Sequence, residues 1–264
     1  MKKNILIPLL LIGLLTTSCT VEEAFILPDE NNSTTQDLKR FKKVDRYRGG
    51  LFFDKTVYYD ATYKIDSIVV NKYLGGGAPY YSAISVVYDG NEVASIKDSI
   101  DYESPFVLDS NVTYDVTFEN NEITLLSQNR EITITHANGY VESIIERSLP
   151  DGIVQRDSYL TRDSDNNLTS IAFSNGMVVN SYADFDSDKK PNPDGPVIDI
   201  MHPDYLKIFG LQLTANNPRS SAQSILGSEP YWRTYAYEYD AEGYVVKIID
   251  PNQVDYTDTY YVED

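Results

Sequence analysis

The chain of 264 residues offers chemistry two histidines, one cysteine and 40 acidic side chains. With only His136 and His202, a histidine-rich metal site is excluded, and no nucleophile-elbow pattern is present. His136 aligns with Asp60, Asp89 and Asp240 in repeated turns and reads as a turn residue. His202, just ahead of Pro203, reads as a capping or packing residue. Asp184, Asp186 and Asp188 space their oxygens as the first half of a calcium loop does, and so do Asp163, Asp165 and Asn167. Neither set continues with the glycine and the bidentate glutamate that such a loop needs, so both read as solvated turns. A pair of carboxylates can hydrolyse glycosides, but among so many acids that pattern has no specificity. Tyr231, Trp232 and Tyr235, with Tyr80 and Tyr81 elsewhere, would stack on sugar rings if exposed together. The same spacing also serves a sheet core. The candidate ligand-binding residues are therefore Tyr231, Trp232 and Tyr235; no catalytic set, metal or cofactor is expected.

Cys19 has a different context. Lys2 and Lys3 precede an apolar run from Ile5 to Leu15, and Thr16, Thr17 and Ser18 lead into the cysteine. This resembles a bacterial lipoprotein signal peptide, with residues 1–18 removed and Cys19 lipidated as the mature N-terminus. The apolar run suits a signal segment and is well short of the roughly 20 residues that span a bilayer. As the chain's only cysteine, Cys19 also excludes internal disulfides and cysteine metal sites. Residues 19–50 read as a polar tether, with Glu22 and Glu23 close behind the cysteine. Such acidic residues resemble the export signal of Bacteroidetes surface lipoproteins, so the expected location is the outer membrane, lipid-anchored and facing the exterior, with a periplasm-facing anchor as the alternative. Six basic residues, Lys39, Arg40, Lys42, Lys43, Arg46 and Arg48, either meet anionic lipid head groups or pair within a first strand.

A net charge of −18 opposes phosphate contacts and excludes nucleic acid as a partner. The 22 tyrosines suit half-buried strands, where the ring packs and the hydroxyl stays wet. From Val57 onward one pattern recurs: YDATYKIDSI at 59–68, YDGNEVASI at 88–96, FENNEITLL at 118–126, THANGYVESI at 135–144, RDSDNNLTSI at 162–171 and YDAEGYVVKI at 239–248. In each, a strand ends in Asp, Asn or Gly, which supply side-chain acceptors and positive φ, and a β-branched strand returns. Each unit is a β-hairpin. Period-2 alternation, as in Val112, Tyr114, Val116 and Phe118 against Thr113, Asp115, Thr117 and Glu119, gives every strand one dry face and one wet face. Residues 51–264 are therefore expected to be all-β, an antiparallel meander of about twelve strands curled into a half-barrel or barrel. The polar outward positions argue against a membrane-embedded barrel.

The repeat resembles the tyrosine-aspartate hairpins of RHS-type proteins. Together with the N-terminal pattern, RTYAYEYDAEGYVVKII at 233–249 and MHPDYLKIFGLQLTANNP at 201–218 resemble a family of Bacteroidetes lipoproteins of unknown function described as having a porin-like fold. That resemblance implies a fold and no catalytic residue.

The hairpin rhythm breaks at 186–232. Pro191, Pro193 and Pro196 mark a loop, and Tyr205, Ile208, Phe209, Leu211 and Leu213 predict one short helix over 204–213, ended by Asn216, Asn217 and Pro218. Long excursions on a rigid scaffold are where sites are found. Three functions fit: a non-catalytic binder of an extracellular glycan or protein partner, a carboxylate-dependent polysaccharide hydrolase, or a structural or adhesive envelope component.

Overall fold

A computed structural model describes residues 41–48, 51–74, 80–102, 110–186, 200, 202–224, 230–250 and 256–262. Cys19, the segment 1–18 and the proline loop at 191–196 lie outside them. β1 (Phe41–Arg48) comes first, inside the segment expected to be tether. Five repeat hairpins follow: β2 (Leu51–Tyr59) with β3 (Ile65–Leu74), β4 (Tyr80–Asp89) with β5 (Glu92–Tyr102), β6 (Ser110–Glu119) with β7 (Glu122–Leu126), β8 (Arg130–Ala137) with β9 (Tyr140–Ser148), and β10 (Val154–Arg162) with β11 (Leu168–Ala172). Next come β12 (Val178–Asp186), the helix α1 (Pro203–Ile208), β13 (Asn217–Gln223) and β14 (Tyr231–Thr234). The sixth repeat hairpin, β15 (Ala236–Tyr239) with β16 (Val245–Ile249), and β17 (Tyr256–Val262) finish the fold. The repeats thus supply twelve of the seventeen strands among the described residues, and β1, β12, β13, β14 and β17 are additions to the expected meander.

The repeat turns form because each satisfies its own backbone. At 60–64, 163–167 and 240–244 the leading Asp accepts through Oδ1 from the N–H groups of the third and fifth residues, at 2.7 to 3.0 Å. The leading N–H donates to the fifth carbonyl. The bonds from Thr62 and Lys64 hold the Asp60 carboxyl below the usual carboxylate range. The fourth residue has positive φ in each case: 67° at Tyr63, 61° at Asn166 and 87° at Gly243. The shorter turns pivot on Gly90, Asn120 and the pair Asn138 and Gly139, again at positive φ. His136 is not a turn residue as expected. It lies within β8, two positions before that pivot and 6% exposed, and burial pushes its ring pKa down. A two-residue turn whose pivots supply the φ values needs no side-chain acceptor where the longer turns place Asp.

All seventeen strands belong to one antiparallel sheet. Each strand from β1 to β13 pairs with the next, β15 pairs with β16, β16 with β17, and β17 returns to pair with β1. β14 and β15 are one run of chain parted at Tyr235, whose N–H donates to Arg219 O at 2.7 Å. The sheet has rolled round far enough for its last strand to meet its first. Because neighbours alternate in direction, the six repeat turns share one end of the wall, and the turns at 127–129, 149–153 and 173–177 share the other. β1 runs antiparallel to β2, so its first residue, Phe41, starts at the repeat-turn end.

The inner face is the core. Ile68, Ile96, Ile123, Leu125, Ile132, Ile134, Val141 and Ile144 are fully buried and form one cluster with Tyr205, Leu206 and Phe209 of the α1 segment. Each such side chain contributes about 1.5 to 3 kcal/mol of transfer free energy. Outward rows read Lys97 beside Thr113, Ser95 beside Asp115, and Thr117 beside Thr124 and Thr133, with no apolar band along β5 to β8. Among the described residues no helix is long and apolar enough to cross a membrane.

The turn geometry yields a paired prediction. Tyr63 and Gly243 occupy the same positive-φ position, which costs a residue bearing a bulky side chain about 1 to 2 kcal/mol. Tyr63→Asn should therefore stabilise the protein, by about 0.5 to 1 kcal/mol given the tolerance of Asn for this region, whereas Gly243→Ala should destabilise it by about 1 kcal/mol. Urea denaturation of the two variants checks both signs.

Candidate functional site

The α1 segment fills the inside of the wall, and its sequence explains how. Pro203 stands in the first turn, where its missing N–H is no loss. The helix ends sooner than the spacing predicts. Gly210, at φ 66°, closes it with Gly210 N–H donating to Lys207 O at 3.1 Å and Leu211 N–H to Leu206 O at 2.9 Å. Leu211 and Leu213 then pack as extended chain. Tyr205 lies edge-on to Tyr114 at 6.0 Å and donates its hydroxyl to Asp98 Oδ2 at 2.7 Å. Burial and that carboxylate push the Tyr205 pKa far up, so the group stays a donor. Lys55, on β2, is 5% exposed and reaches Asp204 Oδ1 at 2.9 Å.

His202 makes no side-chain cap bond; it has φ 51° and serves as a packing residue. Its ring stacks on Tyr205 at 4.9 Å, and Nε2 hydrogen-bonds Glu146 Oε2 at 3.3 Å. Arg130 Nε holds the other oxygen of Glu146 at 3.0 Å. The hydrogen bond from His202 outweighs burial and, helped by the charge of Arg130, keeps the Glu146 carboxyl below the ordinary glutamate range. A depressed folded pKa adds stability that is complete above the ordinary value of 4.5 and disappears as acid protonates the folded group. Glu146→Gln should therefore lower stability at pH 7 by about 2 kcal/mol and flatten the acid limb below about pH 4.5. Denaturation midpoints from pH 7 down to pH 3 test this.

Beyond Glu146 toward the end opposite the repeat turns, the inner face opens into a cavity of about 720 Å³. Residues paired directly across strands share a face. Glu146 pairs with Arg156, Ile144 with Ser158, Leu160 with Ile171, Ile171 with Asn180, Asn180 with Gln223, and Gln223 with Tyr231. This band is the inner wall of the cavity, which Arg156, Ser158, Ile171, Phe173, Asn180, Ile200, Gln223 and Ser224 help to line. The opening arises where the β10 and β11 ladder stops at Tyr159 and Ala172. Past that point Ser174 N–H donates to Asp157 Oδ2 at 3.1 Å, and a carboxylate replaces the next backbone bond. Ser158 and Asn180 are buried, whereas Phe173 and Val154 are exposed at the rim.

The structure separates the three aromatic candidates. Tyr231 falls on the inner band beside Gln223, half exposed, with the Arg233 guanidinium 5.6 Å from its ring centre. Trp232, its neighbour on β14, points to the outer face and is 55% exposed. Tyr235 is buried with Val245 and Ile248, its hydroxyl 2.7 Å from Ser221 Oγ. Tyr81 is on β4, which is not paired with β14. The polar residues Arg156, Asn180 and Gln223 carried no sequence signal; only strand register brings them together.

The acidic triplets serve the scaffold. Asp163 accepts turn N–H groups. Asp184 accepts from Ser220 Oγ at 2.9 Å, and Asp186 is held by Arg219 and by the Tyr239 hydroxyl at 2.6 Å. Asp188 lies outside the described residues. Among the described residues no group of three His, Cys, Asp or Glu side chains is placed to hold a metal ion. The cavity lining contains one carboxylate, Asp157.

No family model matches this chain, and no curated protein matches it. Solved structures do. A porin-like protein from Bacteroides uniformis ATCC 8492 aligns over 84% of this chain and 98% of its own, with a TM-score of 0.57 and 15% identity. A porin-like protein from Bacteroides vulgatus ATCC 8482 aligns over 85% of this chain and 99% of its own, with a TM-score of 0.40 and 14% identity. What the first of these shares with this chain is its fold, and that fold is porin-like.

Proposed function

We propose that this chain is a lipid-anchored outer-membrane protein, displayed at the cell surface, that binds an extracellular glycan in the cavity without turning it over. The carrying observation is the cavity itself. Its volume falls within the range of small-molecule sites, and it joins apolar surface to a few converging polar groups. Ser158, Asn180 and Gln223 are neutral hydrogen-bonding groups suited to sugar hydroxyls, and Phe173 and Tyr231 supply ring faces at the rim. Hydrolysis would need a second carboxylate facing Asp157 across the lining.

A second reading rests on Trp232, whose exposure on the outer face suits a protein partner or a flat glycan platform. The two separate on a glycan array probed with the full-length chain in detergent. Asn180→Ala should abolish most of the signal and Trp232→Ala should leave it intact. The reverse pattern, or no glycan bound at all, would overturn the cavity as the site.

The anchor has its own test. Cys19→Ala should move the protein from the detergent phase to the aqueous phase on Triton X-114 partitioning, with its melting temperature unchanged. Identical partitioning of the two proteins would remove the lipid anchor from the proposal.

A further inference from the structure

Most charged groups on the inner face beside α1 and the cavity have a partner there. Lys55 is matched by Asp204, and both oxygens of Glu146 are taken by Arg130 and His202. Asp98 accepts from Tyr205. Arg162 spends its guanidinium on the carbonyls of Val141 and Leu213. Arg156 shares this face, directly across from Glu146, and lines the cavity. It adds its positive field to a carboxylate that is already doubly bonded. Among the described residues it has no ion-pair partner, and it is exposed. Asp157, the next residue, pairs with Ile145 on the opposite parity, and its carboxylate is engaged by Ser174 N–H. The cavity lining therefore presents one guanidinium without an ion pair, beside neutral hydrogen-bonding groups and the Asp157 carboxylate that Ser174 N–H engages.

A guanidinium is planar and carries a fork of donors that fits a carboxylate through two parallel bonds. Resting on the reading of the cavity as a glycan site, we propose that its ligand is a carboxylated sugar whose acid group docks on Arg156 while Ser158, Asn180 and Gln223 take its hydroxyls. A uronic acid and a sialic acid share that chemistry.

Calorimetry with the full-length chain in detergent tests this, at about 0.15 M salt so that the repulsion from the protein's net negative charge is screened. The probes are tri-galacturonic acid, its methyl ester and N-acetylneuraminic acid. At least one acid should bind about tenfold or more tightly than the neutral ester, the size of one charge-assisted contact. Arg156→Gln should bring the acid down to the affinity of the ester, and Arg156→Lys should recover part of the difference. Which acid binds identifies the source. Equal affinity for acid and ester, or selectivity unchanged in Arg156→Gln, would overturn the proposal. If neutral sugars still bind and Asn180→Ala weakens them, the glycan reading survives that failure; if no sugar binds, both fall.

Discussion

A sheet of this many strands encloses more space than its own wall side chains can fill. In barrels of 16 to 18 strands the interior is ordinarily an aqueous channel. Here the 202–213 segment is inserted into that space, and the core depends on it. Phe209 meets Phe118 edge-on at 5.9 Å, Tyr205 meets Tyr114, and Leu206 is 2% exposed. Without the segment, isoleucines from β3 through β9 would face water across an open lumen. The wall supplies most of the core and the α1 segment the apolar surface it packs against, so each buries the other.

How the segment is held also sets the polarity of the interior. On several strands the inner-face residues nearer the repeat turns are apolar and polar ones follow farther along. On β5, Val93 and Ile96 give way to Asp98. On β8, Ile134 and Ile132 give way to Arg130. On β9, Val141 and Ile144 give way to Glu146, and on β10, Leu160 gives way to Ser158 and Arg156. The buried charges bind the start of α1 to three separate strands through Lys55, Asp98 and Glu146, which fixes its depth and rotation. Burying ions lends little net stability, since desolvation offsets attraction. Their effect here is positional, because one helical turn bonded to strands on several sides has a single place to sit.

Local chemistry explains what could be read in advance. Three of the six hairpins were legible because an Asp acceptor and a positive-φ residue stand at fixed offsets within five residues, as in 240–244, and the other three because Asn or Gly stands at the pivot of a shorter turn. The helix was legible as an element but not at its end, since Gly210 stops it through a backbone conformation that an apolar count over 204–213 does not register. β13 reads Asn-Pro-Arg-Ser-Ser-Ala-Gln, with no alternation to reveal it, and it owes its strand state to pairing with β12 and β14. The same applies to the cavity. Arg156, Asn180 and Gln223 are ordinary polar residues in sequence, and only a register spanning β9 to β14 aligns them. Trp232 drew attention by its rarity, yet one position along a strand separates the inner face from the outer.

The α1 segment fills the lumen of the porin-like wall toward the repeat turns. The closed end carries the short repeat turns and the start of β1; the other end keeps the cavity. In this arrangement the rigid element is the wall, and Arg156, Asn180 and Gln223, toward the ends of β10, β12 and β13, keep ladder partners that fix their direction. Beyond Tyr159 and Ala172 the β10–β11 ladder stops while β10 stays paired to β9, so the gap opens the cavity and the remaining ladders fix the side chains that line it.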